Sequence, residues 1–60
     1  MNETNKFIDS CGDSIQAFIN DDGLIQIATF GHPEPSPYQA IEFAKQLTEL
    51  AQEVKSNEPT

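Results

Sequence analysis

Apolar and polar residues alternate with a period of two along Ser14-Ile15-Gln16-Ala17-Phe18-Ile19-Asn20, and again along Leu24-Ile25-Gln26-Ile27-Ala28-Thr29-Phe30. Side chains of an extended chain point to opposite faces in turn, so each run predicts a half-buried strand. Asp21-Asp22-Gly23 lies between them. The loop length decides which side chains share a face, because a slip of one residue turns the whole set over. A two-residue Asp22-Gly23 turn would set Ile19 against Gln26 and Phe18 against Ile27. A three-residue loop, with Asp21 and Asp22 in a type I turn and Gly23 left-handed as a G1 bulge, pairs Ile19 with Ile25 and Ala17 with Ile27. That register gathers Ile15, Ala17, Ile19, Ile25 and Ile27 on one face, and glycine takes the left-handed position at least cost. The pattern therefore predicts a hairpin closed by the three-residue loop.

Gly31-His32-Pro33-Glu34-Pro35 follows, a stiff connector in which two prolines remove donors and restrict the residues before them. Ser36-Pro37-Tyr38-Gln39 then reads as a helix start. Ser36 is the N-cap, Pro37 takes the first helical position, and Gln39 closes a capping box back onto the Ser36 amide. From Pro37 to about Lys55 the period is helical, with Ala40, Phe43, Ala44, Leu47, Leu50, Ala51 and Val54 on one stripe expected to cover the isoleucine face of the hairpin. Residues 1–13, polar apart from Phe7-Ile8, are expected to form a flexible N-terminal arm, and residues 56–60 a frayed tail. The expected fold class is thus α+β, a ββα unit over residues 14–55.

The length of 60 residues changes this picture. A chain so short buries only about 60% of the surface its unfolded form exposes, so its core needs support from disulfides, a metal or oligomerisation. A lone cysteine, Cys11, makes no intrachain bridge, and with one histidine, His32, there is no metal-ligand spacing. Oligomerisation remains, and a homodimer is expected. The polar N-terminus is followed by no long apolar run, which argues against a signal peptide or membrane anchor and makes a cytoplasmic location the default. A net charge of −7, with three basic residues, all lysine, opposes nucleic acid and anionic membranes, so a charge-selected partner should be a basic protein surface.

Candidate chemistry is sparse. Cys11 has Asp9 and Asp13 beside it, which oppose a thiolate, and is expected to be a small, half-buried residue. His32 stands in a loop with no nucleophile or orienting carboxylate set by sequence, and is expected to be solvated. Asp21 and Asp22 are turn formers rather than a catalytic pair, which would need unlike environments. There is no N-terminal proline of the tautomerase kind, no glycine-rich phosphate loop and no calcium loop. These readings predict a non-enzymatic protein without a cofactor or metal.

Two surfaces stand out instead. Glu42, Glu49 and Glu53 form an acidic ridge on the helix side expected to lie opposite the core, and with Asp21 and Asp22 they are the candidate partner-binding residues. Phe18, Leu24 and Phe30 on the outer hairpin face, with Tyr38 and Ile41 off the helix stripe, are the candidate self-association residues, through strand pairing or helix packing. The strand, Asp-Asp-Gly, strand, Pro-capped helix layout over Ser14 to Val54 resembles small uncharacterised hairpin-helix proteins of bacteriophages and bacteria. The resemblance implies an accessory protein that acts by blocking or bridging a larger protein. The resulting expectation is an acidic protein-binding module, an inhibitor or adaptor occupying a basic or nucleic-acid-binding site. The alternative is a self-associating structural module with no dedicated partner.

Overall fold

The computed structural model describes residues 2–56. Three strands, β1 (Phe7–Ile8), β2 (Ser14–Ile19) and β3 (Ile25–Phe30), form an antiparallel sheet in the order β1-β2-β3, followed by one helix, α1 (Pro37–Ser56). The hairpin has the expected register, Ile19 opposite Ile25 and Ala17 opposite Ile27. Its loop is the three-residue one. The Gly23 amide donates to the Asn20 carbonyl at 3.0 Å, the Asn20 amide to the Leu24 carbonyl at 2.8 Å, and Gly23 sits at φ 77°. The Asn20 side chain completes the turn, its Oδ1 accepting from the Asp22 and Leu24 amides.

The expected loose arm is the third strand. Phe7 pairs with Ile15, Ile8 with Ser14, and an isolated bridge joins Glu3 to Phe18. Between Glu3 and Phe7 the chain has one residue more than β2 has between Phe18 and Ile15, so the ladder bulges there. The Thr4 hydroxyl repairs it. Thr4 Oγ1 accepts from the Ala17 amide at 3.0 Å and donates to the Asn5 carbonyl at 2.9 Å, while the Thr4 amide donates to the Ala17 carbonyl. Thr4 is 3% exposed, a depth that a polar residue reaches only with its hydrogen bonds made. Polar composition hid this strand, because its pairing rests on a side-chain acceptor rather than on an apolar alternation.

The capping box forms as expected, with Ser36 N–H donating to Gln39 Oε1 at 3.0 Å and Gln39 N–H to Ser36 Oγ at 3.2 Å. The helix runs to Ser56, one residue beyond the expected end, so the expected tail begins inside it and its remainder, 57–60, lies outside the described residues. Three contacts set the helix direction. Gln39 Nε2 donates to the Ile8 carbonyl, Phe43 meets Phe7 edge-on at 5.8 Å, and Gln46 Oε1 accepts from the Asn5 amide. Passing along α1 thus retraces β1 backwards, so the helix runs parallel to β2 and its C-terminal half approaches the hairpin tip.

The buried stripe differs from the expected one. Leu50 is fully buried and Phe43, Leu47 and Val54 half-buried, but Ala40, Ala44 and Ala51 are exposed. Gln39, Gln46 and Glu53 take their place among the half-buried residues. The added strand is the reason. With β1 beside β2, the helix rolls toward β1 to cover Phe7 and to reach Asn5 and Ile8, and its alanine side is lifted off. Ala17 and Leu50 are the apolar side chains fully buried among the described residues, and Ile27 stays 52% exposed.

Candidate interaction surfaces

Helical geometry, about 100° per residue, divides α1 into two flanks around the line of Phe43 and Leu50. Gln46, which reaches β1, marks one side, and Glu42, Glu49 and Glu53 fall on that side. Ala40, Ala44 and Ala51 fall on the other and are exposed. The acidic ridge is therefore a flank beside the core and not the side opposite it. Glu42 and Glu49 are exposed, whereas Glu53 is half-buried and engaged. Asp21 and Asp22 are exposed at the hairpin tip, the end of the molecule that the C-terminal half of α1 approaches. Glu49 and Glu53 thus share an end with the aspartates, and Glu42 stands further back along the same flank.

The candidate self-association residues fall in two groups. Leu24 (63% exposed), just before β3, and Phe30 (69%), at its end, stand on the sheet face away from the helix. Phe18 shares that face, half-buried opposite Gln26. Tyr38 and Ile41 are exposed on the helix, neighbours three residues apart on the side away from the sheet. The structure places Leu24, Phe30 and Phe18 on one face of the sheet and leaves Tyr38 and Ile41 apart from them on the helix.

Sequence reasoning missed the clamp at the base of the fold. Asp9 Oδ1 accepts from the Cys11 and Asp13 amides, and Asp9 Oδ2 accepts from the Glu34 amide at 2.8 Å. Asp13 Oδ2 accepts from the His32 amide at 3.1 Å. Two carboxylates in the β1–β2 turn thereby hold the connector that leads to the helix. The Glu34 amide, followed by those of Cys11, Asp13 and Gly12, outweighs desolvation and lowers the Asp9 pKa below its ordinary value of 3.8. The spacing Asp9-x-x-x-Asp13 around Gly12 carries a turn signal, but its partners 25 and 19 residues away carry none. Cys11 is exposed at this turn rather than half-buried, because its amide, not its side chain, is what the turn uses. His32 is exposed as expected.

An open depression of about 460 Å³ lies on the sheet face away from the helix, bordered by Lys6, Ile8, Gly12, Ser14, Gln16 and Phe30 among others. Among the described residues Lys6 is the one ionisable side chain along it. A hydroxyl at Ser14 with no histidine or carboxylate in the same lining lacks the base that would activate it. Among the described residues no group of three or more His, Cys, Asp or Glu side chains is placed to hold a metal ion, and no helix is long and apolar enough to cross a membrane. Comparison with protein-family models, with curated proteins and with solved structures finds no match.

Proposed function

We propose that this chain is a non-catalytic protein-binding module that presents the acidic flank of α1, with the Asp21-Asp22 tip, to a basic surface on a larger protein, as an inhibitor or adaptor does. The observation that carries this reading is the segregation of the helix flanks. Glu42 and Glu49 are exposed on one side of α1, alanines occupy the other, and neither glutamate is held in an ion pair among the described residues. Carboxylates left free in a row raise the local negative potential and steer a basic partner to one side of the molecule.

The test compares two variants that remove equal charge, E42Q/E49Q on the flank and E3Q/E34Q off it, in binding to an oligolysine peptide followed by fluorescence anisotropy. Exposed charge pairs contribute about 0.2–1 kcal/mol each, so the flank variant, which loses two, should bind roughly two- to thirtyfold more weakly than the control pair. Equal losses in both variants would mean that only net charge matters and that the flank serves solvation. A second reading, the self-associating module, is favoured by a separate observation, the small core of Ala17 and Leu50.

A further inference from the structure

The two edges of the sheet are treated differently. At β1 the helix reaches over the edge, with Gln39 bonded to the Ile8 carbonyl and Gln46 to the Asn5 amide, and the bulge at Thr4 breaks the line of free groups. Such covering is how sheets block unwanted pairing. Among the described residues nothing equivalent guards β3. Its sequence, Ile25-Gln26-Ile27-Ala28-Thr29-Phe30, contains no charge, proline or glycine. Because Asn20 and Leu24 form a hydrogen-bonded pair and antiparallel pairs alternate, Gln26, Ala28 and Phe30 bond to β2. Ile25, Ile27 and Thr29 then turn their N–H and C=O groups outward, away from the sheet.

We infer that β3 pairs antiparallel with β3 of a second copy about a two-fold axis through Ile27, giving a six-stranded sheet with both helices on one face. The register follows from self-complementarity. Centring on Ile27 sets Ile25 opposite the partner copy's Thr29 and joins all three outward residues of each copy in six hydrogen bonds. On the face away from the helices the same register sets Leu24 against the partner copy's Phe30, twice. Those two side chains, 63% and 69% exposed in the single chain, cover each other. Moving the centre by one residue puts Phe30 opposite either Asp22 or Gln26, and an odd shift turns inner faces outward.

Charge agrees with this occupant. The acidic flank overhangs β1, on the far side of each copy, so a chain of net charge −7 meets itself along its uncharged strand. The helices would stand about three strand spacings apart, roughly 14 Å, wider than the 8–10 Å of direct helix packing. Strand pairing therefore holds the dimer, and Ile41 on the helix takes no part.

The first measurement is solution mass by sedimentation over a range of concentrations, with residue-resolved hydrogen exchange on the same samples. The expected mass is twice the 6.6 kDa of the chain. The amides of Ile25, Ile27 and Thr29 should be protected to the same degree as those of Gln26 and Ala28, and should open, by at least tenfold in exchange rate, on dilution to monomer. T29P removes an outward donor that the single chain does not use and should give a folded monomer, while I41Q should remain dimeric. A monomer at all concentrations, or a dimer in which the Ile25, Ile27 and Thr29 amides exchange freely, overturns the proposal. In the first case the edge is left to a strand of another protein, and in the second to a helix-mediated assembly. The acidic flank lies outside this interface, so its test succeeds or fails separately.

Discussion

Replacing Thr4 with valine tests how the N-terminal strand is held. Valine keeps the shape and the β-branch but has no hydroxyl, so the Ala17 amide loses the acceptor at 3.0 Å and the Asn5 carbonyl loses its donor at 2.9 Å. Asn5 is exposed and water replaces the second bond. Ala17 is 0% exposed, so its N–H is left buried without a partner. A buried donor orphaned in this way costs about 1–3 kcal/mol. A 60-residue chain at about 0.05–0.15 kcal/mol per residue has a total stability of only about 3–9 kcal/mol, so the change removes a large share of it. With a urea slope of about 1 kcal/mol/M for so small a domain, the midpoint should fall by about 1–3 M in denaturation followed by circular dichroism at one fixed protein concentration. Thr4→Ser keeps the acceptor and loses one methyl, about 0.8 kcal/mol, and should fall between the two. If T4V lies within about 0.5 kcal/mol of the parent, the usual spread for surface changes, the hydroxyl is not what repairs the ladder.

The remaining predictions concern the turns. Gly23 and Gly31 both have positive φ, but a Cβ at Gly23 meets open space whereas one at Gly31 runs into the Asp13 carboxylate that holds the His32 amide. G23A should therefore cost only the left-handed strain, about 1 kcal/mol, and G31A should cost at least twice that by urea denaturation; equal losses would mean that the Asp13 clamp contributes nothing. Asp9 has a folded pKa below its ordinary 3.8, set first by the Glu34 amide. The unfolded chain thus binds the proton more readily, and the contribution of Asp9 to stability is complete above the ordinary carboxylate range and lost as pH falls through 3.8 toward the folded value. D9N should flatten the acid limb of the melting-temperature profile while lowering its neutral plateau, and an unchanged acid limb would remove Asp9 from the clamp.

Local chemistry made much of the fold legible. The three-residue hairpin loop followed from two facts that agree, the isoleucine alternation and a glycine where the backbone must turn left-handed, and the observed Ile19–Ile25 register matches. The helix start was equally plain, because a capping box is closed within four residues of sequence. The candidate surface residues were mostly found to be exposed, as a count of polar and off-stripe positions suggests. Which of them stand together was not legible, since that depends on how the helix is rolled on the sheet.

By itself, then, the sequence determined the elements whose causes are short-range: two alternating strands, their loop and register, a capped amphipathic helix, and a negative charge. Only the tertiary structure decided the rest. It turned the polar N-terminus into a strand, because a threonine hydroxyl could stand in for a ladder acceptor on a residue 13 positions away. That strand pulled the helix toward itself, which uncovered the alanines and set the acidic residues on a flank beside the core. The same shift guarded one edge of the sheet with two glutamines and left the other open. Hydrogen bonds between distant polar groups carry no periodic signal, and so these outcomes could be read only once the chain had brought the partners together.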